Sequence, residues 1–183
     1  MKTVLKGERI YLKIPTMKDV DAIKTHINDK HIVRFMDTIP HPYKRSDGEW
    51  YIKHMVQKKL REDTGYLFSI FLKETDELIG GMGICNISKK HKNAEIGYWI
   101  GKKFWRNGYA RESLNLLLKF GFKKLKFEKM YARTFYHNDA SSGLLMKAGF
   151  KDEGCLRRHI FHNNKWHDER RFGLLRSEYE TKD

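Results

Sequence analysis

The sequence predicts a single α/β (α+β) domain over residues 1–183: a twisted, mixed and mostly antiparallel sheet of about seven strands flanked by about four helices. Three observations carry this expectation. Hydrophobic residues make up 40% and charged residues 33% of the chain, with only 3 Pro and 14 Gly, the balance of a chain that buries a core. A length of 183 residues suits one core of ordinary size. Periods of two and of 3.6 residues alternate: strand, two helices, a three-strand meander, then helix, strand, helix and a closing pair of strands.

Residues 8–14 (ERIYLKI) alternate polar and apolar as a half-buried strand does, and Pro15-Thr16 ends it. Thr16 suits an N-cap for a helix that puts Met17, Val20, Ile23 and Ile27 on one face. Residues 31–45 hold Pro40 and Pro42 and no sustained period, and read as a loop. Ser46 and Glu49 fit a capping box ahead of a stripe of Ile52, Met55, Val56 and Leu60. From Tyr66, YLFSIFL, a TDE turn and LIGGMGICNI read as an antiparallel hairpin. Residues 94–100 (AEIGYWI) form the third strand of the meander, with Glu95, Gly97 and Trp99 on one face and Ile96, Tyr98 and Ile100 on the other. Ala110, Leu114, Leu117, Leu118 and Phe122 recur at helical spacing. Residues 129–136 are the next strand, and Asn138-Asp139 caps a helix that stops at Gly149. Residues 150–161 and 166–175 close the sheet around Asn163-Asn164, which tolerate positive φ.

Composition narrows the function. Formal net charge is +14, which implies attraction to something anionic: a phosphorylated cofactor, RNA or an acidic protein surface. The charge is spread along the chain, with no arginine-rich arm or aromatic-interleaved basic stripe, and DNA is not an expected partner. Cys85 and Cys155 stand apart, outside any CxxC pair, and read as small core residues. His159, His162 and His167 lack metal-site spacing, so no metal is expected. No run approaches the roughly 20 apolar residues of a membrane helix, and the N-terminus lacks a secretory h-region. A cytoplasmic protein with no membrane partner is expected.

The strongest local signal runs from the end of a strand into a helix: Ile100, Gly101, Lys102, Lys103, Phe104, Trp105, Arg106, Asn107, Gly108, Tyr109, Ala110 and Arg111. Glycine at 108 removes the Cβ that would block close approach. First-turn N–H groups have no helical partners, so they and the positive end of the helix can hold a pyrophosphate. An ordinary strand-to-helix turn would also tolerate a glycine there.

Residues 106–110 resemble the (Q/R)xxGx(G/A) coenzyme A loop of the GNAT (GCN5-related) N-acetyltransferases, and AEIGYWI is similar to the strand before it. Asn138, Asp139, Ala140 and Ser141, followed by Gly149-Phe150, look like the NxxS…GF segment of the Rim-type branch, which acetylates protein N-termini, notably of ribosomal proteins. Gly154 to Arg158, Asn163-Asn164 and the run from Leu174 to Tyr179 are similar to that branch's closing segments. The resemblance spans essentially the whole chain.

It implies acetyl-coenzyme A as the acetyl donor, seated in the cleft after the central strand. Backbone groups of Trp99, Ile100 and Gly101 would face the thioester, residues 106–111 the pyrophosphate, and Asn138 the pantetheine arm. Ser141 would stabilise the departing thiolate. Glu95 stands where some members carry a catalytic carboxylate, though it can equally be solvated or work through water. Tyr98, Tyr109 and Tyr136 are secondary candidates for the acid. Ile160 sits where some Rim-type enzymes place an acidic residue, which leaves the base unassigned. The expected acceptor is a protein N-terminal α-amine, with transient ribosome association and room for a homodimer. A small amine such as spermidine is the alternative, less suited to Ser141, Leu145 and the net charge. A non-catalytic acyl-CoA- or RNA-binding module is the alternative of another class.

Overall fold

The computed structural model describes residues 3–181; Met1, Lys2, Lys182 and Asp183, the ends of the expected 1–183 span, lie outside the described residues. The strands are β1 Val4–Lys6, β2 Ile10–Lys13, β3 Tyr66–Leu72, β4 Leu78–Ser88, β5 Asn93–Ile100, β6 Lys129–Phe135, β7 Lys151–His162 and β8 Lys165–Leu175. They form one sheet in the order β1-β2-β3-β4-β5-β6-β8-β7. Every neighbouring pair is antiparallel except β5 and β6, which run parallel across a helical crossover. The eighth strand is β1, whose three residues are too few to show a period; it pairs with β2.

The helices are α1 Val20–Ile27, α2 Lys30–Val33, α3 Arg45–Trp50, α4 Gln57–Glu62, α5 Tyr109–Lys119, α6 Asp139–Ala148 and α7 Arg176–Glu180. A π turn, Tyr51–Val56, runs α3 into α4 without a break. Two short helices add to the expected four: α2, inside the segment read as a loop, and α7. Asp29 starts α2 by accepting the His31 N–H at 2.8 Å.

At the entry to α1 the Asp19 carboxylate reaches back to the Thr16 N–H and hydroxyl at 2.7 and 3.0 Å. Val20, Ile23 and Ile27 are buried as expected, whereas Met17 is exposed. The second helical stretch begins two residues earlier than its capping signal suggests, with Lys44 rather than Ser46 at the N-cap. Asp47 accepts the Lys44 N–H at 2.7 Å, and Glu49 pairs with Arg45 instead. Asn163 and Asn164, at φ 51° and 57°, make the two-residue turn between β7 and β8.

Helices cover both faces of the sheet. Leu114, Leu117 and Leu118 of α5 and Leu145 of α6 pack on Ile10, Leu12, Phe68, Ile70, Ile84, Met130, Phe172 and Leu174. On the other face, α1 and the α3–α4 stretch bury Val20, Ile23, Ile27, Ile52 and Val56 against Phe71 and Leu78. Each fully buried aliphatic side chain contributes about 1.5–3 kcal/mol. Cys85 is half-buried, but Cys155 is exposed, against the expectation that both are core. It lies on β7, an edge strand exposed from residue 151 to 159. Among the described residues no helix is long and apolar enough to cross a membrane.

The feature that positions the site is where β5 and β6 part. Their parallel ladder joins Asn93 to Lys129, Ala94 to Met130 and Glu95 to Tyr131, and stops there. From Ile96 and Ala132 onward the strands splay, which opens a gap in the middle of the sheet.

Candidate active site

Beyond the splay, β5 continues to pair with β4 alone. The Gly101 N–H is donated to the Ile79 carbonyl at 2.8 Å. The two-residue alternation of a strand therefore points the Trp99 N–H the same way, and the N–H groups of Tyr98 and Ile100 into the gap. Of the three backbone positions expected to face a thioester, Ile100 presents its N–H to the cleft. The Ile100 carbonyl is held by the Trp105 indole N–H at 2.7 Å.

The glycine loop follows. Arg106 at φ 63° and Gly108 at φ 79° both adopt the left-handed conformation, and Gly108 opens α5. The chain therefore enters the helix with its free first-turn N–H groups and dipole end at the cleft's edge. Lys102, Arg106, Asn107 and Arg111 are exposed there, and Tyr109 and Ala110 are half-buried. Lys103 is drawn aside to Glu77 at 2.5 Å.

Arg9 braces this loop. Its N–H and Nε donate to Glu112 at 2.8 and 3.0 Å, its Nη1 donates to the Asn107 carbonyl at 2.9 Å, and its guanidinium stands 4.9 Å over the Tyr109 ring. Burial works against the Glu112 charge, but the N–H groups of Arg9 and Ile10 and the guanidinium outweigh it and hold this carboxyl below its ordinary range. Sequence reasoning missed Arg9. Its partners lie about a hundred positions away, and nothing local marks it.

Across the gap, Asn138 caps α6, its Oδ1 accepting the Ser141 N–H at 3.3 Å. The Ser141 hydroxyl meets the Tyr98 phenol at 2.7 Å. Burial pushes the Tyr98 phenol up to about 12, with the Ser141 contact opposing it. Tyr98 is the one of the three candidate tyrosines that reaches the cleft. Tyr109 lies under Arg9, and Tyr136 is exposed beneath Arg170.

A cavity of about 630 Å³ extends from this gap, lined among others by Phe35, Trp50, Gly97, Trp99, Arg133 and Ser141. A Cβ at Gly97 would touch nothing, so this glycine leaves the floor open. Glu95 is tied into a network at its edge. One oxygen accepts Arg133 Nε at 3.2 Å and the other Asn86 Nδ2 at 2.7 Å. Arg133 Nη1 also donates to Asp37 at 2.9 Å and Glu169 at 3.2 Å, and Arg171 Nε lies 2.5 Å from Glu169. Burial disfavours the Arg133 cation, but Asp37, Glu169 and Glu95 hold its titration above the ordinary arginine value. His162 and His167 pack edge-on to Phe135. Among the described residues no group of three or more His, Cys, Asp or Glu is placed to hold a metal.

Residues 9–151 match the acetyltransferase (GNAT) domain family. The chain belongs to the GNAT acetyltransferase family. This GNAT chain is 30% identical over 179 residues to the uncharacterized N-acetyltransferase YoaA of Bacillus subtilis, a match covering 96% of this chain and 98% of that one. Spermidine N(1)-acetyltransferase of Vibrio cholerae is 30% identical over 102 residues, 56% of this chain and 59% of its own. Among solved structures, RimL, a ribosomal L7/L12 alpha-N-protein acetyltransferase in complex with coenzyme A, superposes with a TM-score of 0.87 at 18% identity, covering 94% of this chain and 98% of that one. GNAT acetyltransferases take their acetyl group from acetyl-coenzyme A, so this chain is an acyltransferase.

Proposed function

We propose that the enzyme acetylates the α-amine at the N-terminus of a protein, in the cytoplasm and in transient contact with the ribosome. The observation that carries this reading is the engagement of Glu95. With one oxygen on Arg133 and the other on Asn86, the acceptor side holds no free carboxylate at this position. An α-amine, with a reference pKa near 8, needs little help to lose its proton, whereas a lysine side chain near 10.4 needs a real base. A polyamine would also want unpaired carboxylates for its further cations, and Asp37, Glu95 and Glu169 are already bridged by Arg133.

The donor half fits the residues present. First-turn N–H groups and the exposed Arg106 and Arg111 suit the pyrophosphate, with Asn107, Gly108, Tyr109 and Ala110 shaping the loop. Trp99, Ile100, Gly101 and Asn138 flank the path through the gap. The neutral amine attacks the thioester carbon, a C–N bond forms and the C–S bond breaks. Ser141 donates its proton to the sulfur and is resupplied from Tyr98, which regains its proton from solvent once coenzyme A leaves. The amine's surplus proton leaves to water near Glu95, whose charge, tempered by Arg133, favours the cationic nitrogen on that side.

The test is coenzyme A release with three acceptors: a peptide with a free N-terminus, an N-terminally blocked peptide that contains lysine, and spermidine. Turnover confined to the free N-terminus supports the reading. Turnover with spermidine or the blocked peptide at comparable kcat/KM would overturn it.

A further inference from the structure

The tip of the β7–β8 hairpin has a chemistry that acetyl transfer leaves unused. Residues 157–167 contain Arg157, Arg158, Lys165 and three histidines, and no Asp or Glu. The side chains of Arg157, Arg158 and Lys165 are exposed and have no hydrogen bond or ion pair among the described residues. Opposite single-residue pairing fails here. Leu156 faces Glu169 and Ile160 faces His167, so three residues, 157–159, bulge out against Asp168 alone. Arg158 sits at φ 48° in that bulge, with its N–H anchored to Asp168 at 2.7 Å. Next to it, Phe161 and Trp166 pair across the strands with ring centroids 5.0 Å apart. At 57% and 60% exposure they are the most open large hydrophobic side chains among the described residues.

This tip borders the acceptor entrance. Ile160 lines the main cavity, and His159, Ile160 and Phe161 line the adjoining polar cleft together with Asp37, Glu95, Arg133, Glu169 and Arg171. The charges are therefore graded. The cleft holds three carboxylates against two guanidiniums, one net negative charge, and the tip outside it carries three cations against the one carboxylate of Asp168, which is tied to the Arg158 N–H.

We infer that the acceptor is a polypeptide whose residues after the N-terminal amine are acidic, held by the β7–β8 hairpin tip. The inference rests on the N-terminal reading above and deepens it. A cationic terminus followed by carboxylates matches the gradient from cleft to tip, and the two aromatic rings supply apolar surface to the segment between them. A polyamine would place its second cation against Arg157, Arg158 and Lys165. Single-stranded RNA could stack on an exposed aromatic pair flanked by cations, but Phe161 of this pair also lines the polar cleft beside the acceptor cavity, which favours an occupant that is also the substrate.

The experiment compares peptides that share their first two residues and continue with Glu-rich, Gln-rich or Lys-rich sequence. They are assayed with wild type and with the triple variant Arg157→Ala, Arg158→Ala, Lys165→Ala. KM is expected roughly tenfold lower for the Glu-rich than for the Gln-rich peptide, as three rim charge pairs would give, with kcat unchanged. High salt and the triple variant both erase the preference, while a dipeptide acceptor is turned over equally by both proteins. Equal KM for the Glu-rich and Gln-rich peptides, or a preference that survives the triple variant, overturns the inference. Tight, salt-sensitive binding of single-stranded RNA to the tip without acidic-peptide preference also overturns it, in favour of a nucleic-acid contact. Fluorescence anisotropy of the labelled peptides reads the tip independently of turnover. If none is acetylated, the N-terminal reading fails, and anisotropy still decides whether the tip selects acidic chains.

Discussion

The phenol of Tyr98 in β5 and the hydroxyl of Ser141 in α6 stand 2.7 Å apart across the gap where β5 and β6 cease to pair. The two residues are 43 positions apart, and the splay alone brings them together. Among the described residues neither group is held by another side chain; the Tyr98 hydroxyl is also 3.3 Å from the Ser141 carbonyl, and the pair can pass one proton toward the gap.

Ser141→Ala should lower kcat with little change in KM for acetyl-coenzyme A. A positioned acid contributes about 10²- to 10⁴-fold, and the lower end applies because a thiol of reference pKa about 8.5 leaves readily. Tyr98→Phe, which removes the group behind Ser141, should cost about tenfold, one well-made hydrogen bond. The pH profile separates these roles from packing. A donor is active while protonated, and burial holds the Tyr98 phenol up to about 12. In wild type kcat/KM should therefore rise through the acceptor amine's pKa near 8 and stay level beyond it, with no falling limb from this phenol until close to pH 12. Steady-state rates across that range check it.

Gly108→Ala should act on the donor site alone. Gly108 has φ 79°, a conformation that costs an L-residue about 1–2 kcal/mol, and an added Cβ would lie 3.3 Å from Arg9 Nη2. KM for acetyl-coenzyme A is expected to rise about 5- to 30-fold with kcat at saturation nearly unchanged. Calorimetric titration with coenzyme A gives the same ratio if the effect is on binding.

The Arg9–Glu112 brace predicts an acid-sensitive element. Glu112 titrates below its ordinary value of 4.5 when folded, so its stabilisation is present above pH 4.5 and is lost as pH falls through the lower, folded value. Glu112→Gln should melt at a lower temperature than wild type at neutral pH, and the difference should shrink on acidification below about pH 4.5. Arg9→Ala should in addition raise KM for acetyl-coenzyme A by about 2- to 12-fold, since the Asn107 carbonyl loses its donor. Scanning calorimetry against pH follows the first effect and steady-state kinetics the second.

Periodic segments were legible from sequence. YLFSIFL, AEIGYWI and the Leu114, Leu117, Leu118 stripe announce their elements because alternation and helical spacing are local properties, and Asn138 and Gly149 mark the ends of α6 through their own backbone preferences. Gly108 stood out in the sequence for its missing Cβ; that it also takes φ 79° at the mouth of α5 is what the fold adds. What sequence did not show depends on distant pairing. β1 is defined only by β2 beside it, and Glu95 looks like a free carboxylate until Arg133, 38 residues on, folds against it. The helix over 45–62 takes Lys44 as its N-cap because Asp47 competes with Glu49 for the cap, a choice that local spacing leaves open. The basic hairpin tip escaped notice because its cations are only moderately dense along the chain, and the bulge at residues 157–159 concentrates them.

Tandem mass spectrometry of a single peptide that carries both a free N-terminus and an internal lysine, after incubation with the enzyme and acetyl-coenzyme A, tests the central claim most directly. The account predicts the acetyl group on the α-nitrogen, and the product gone when Ser141 is alanine at short times. Acetyl found on the lysine ε-nitrogen, with the α-amine untouched, would contradict it.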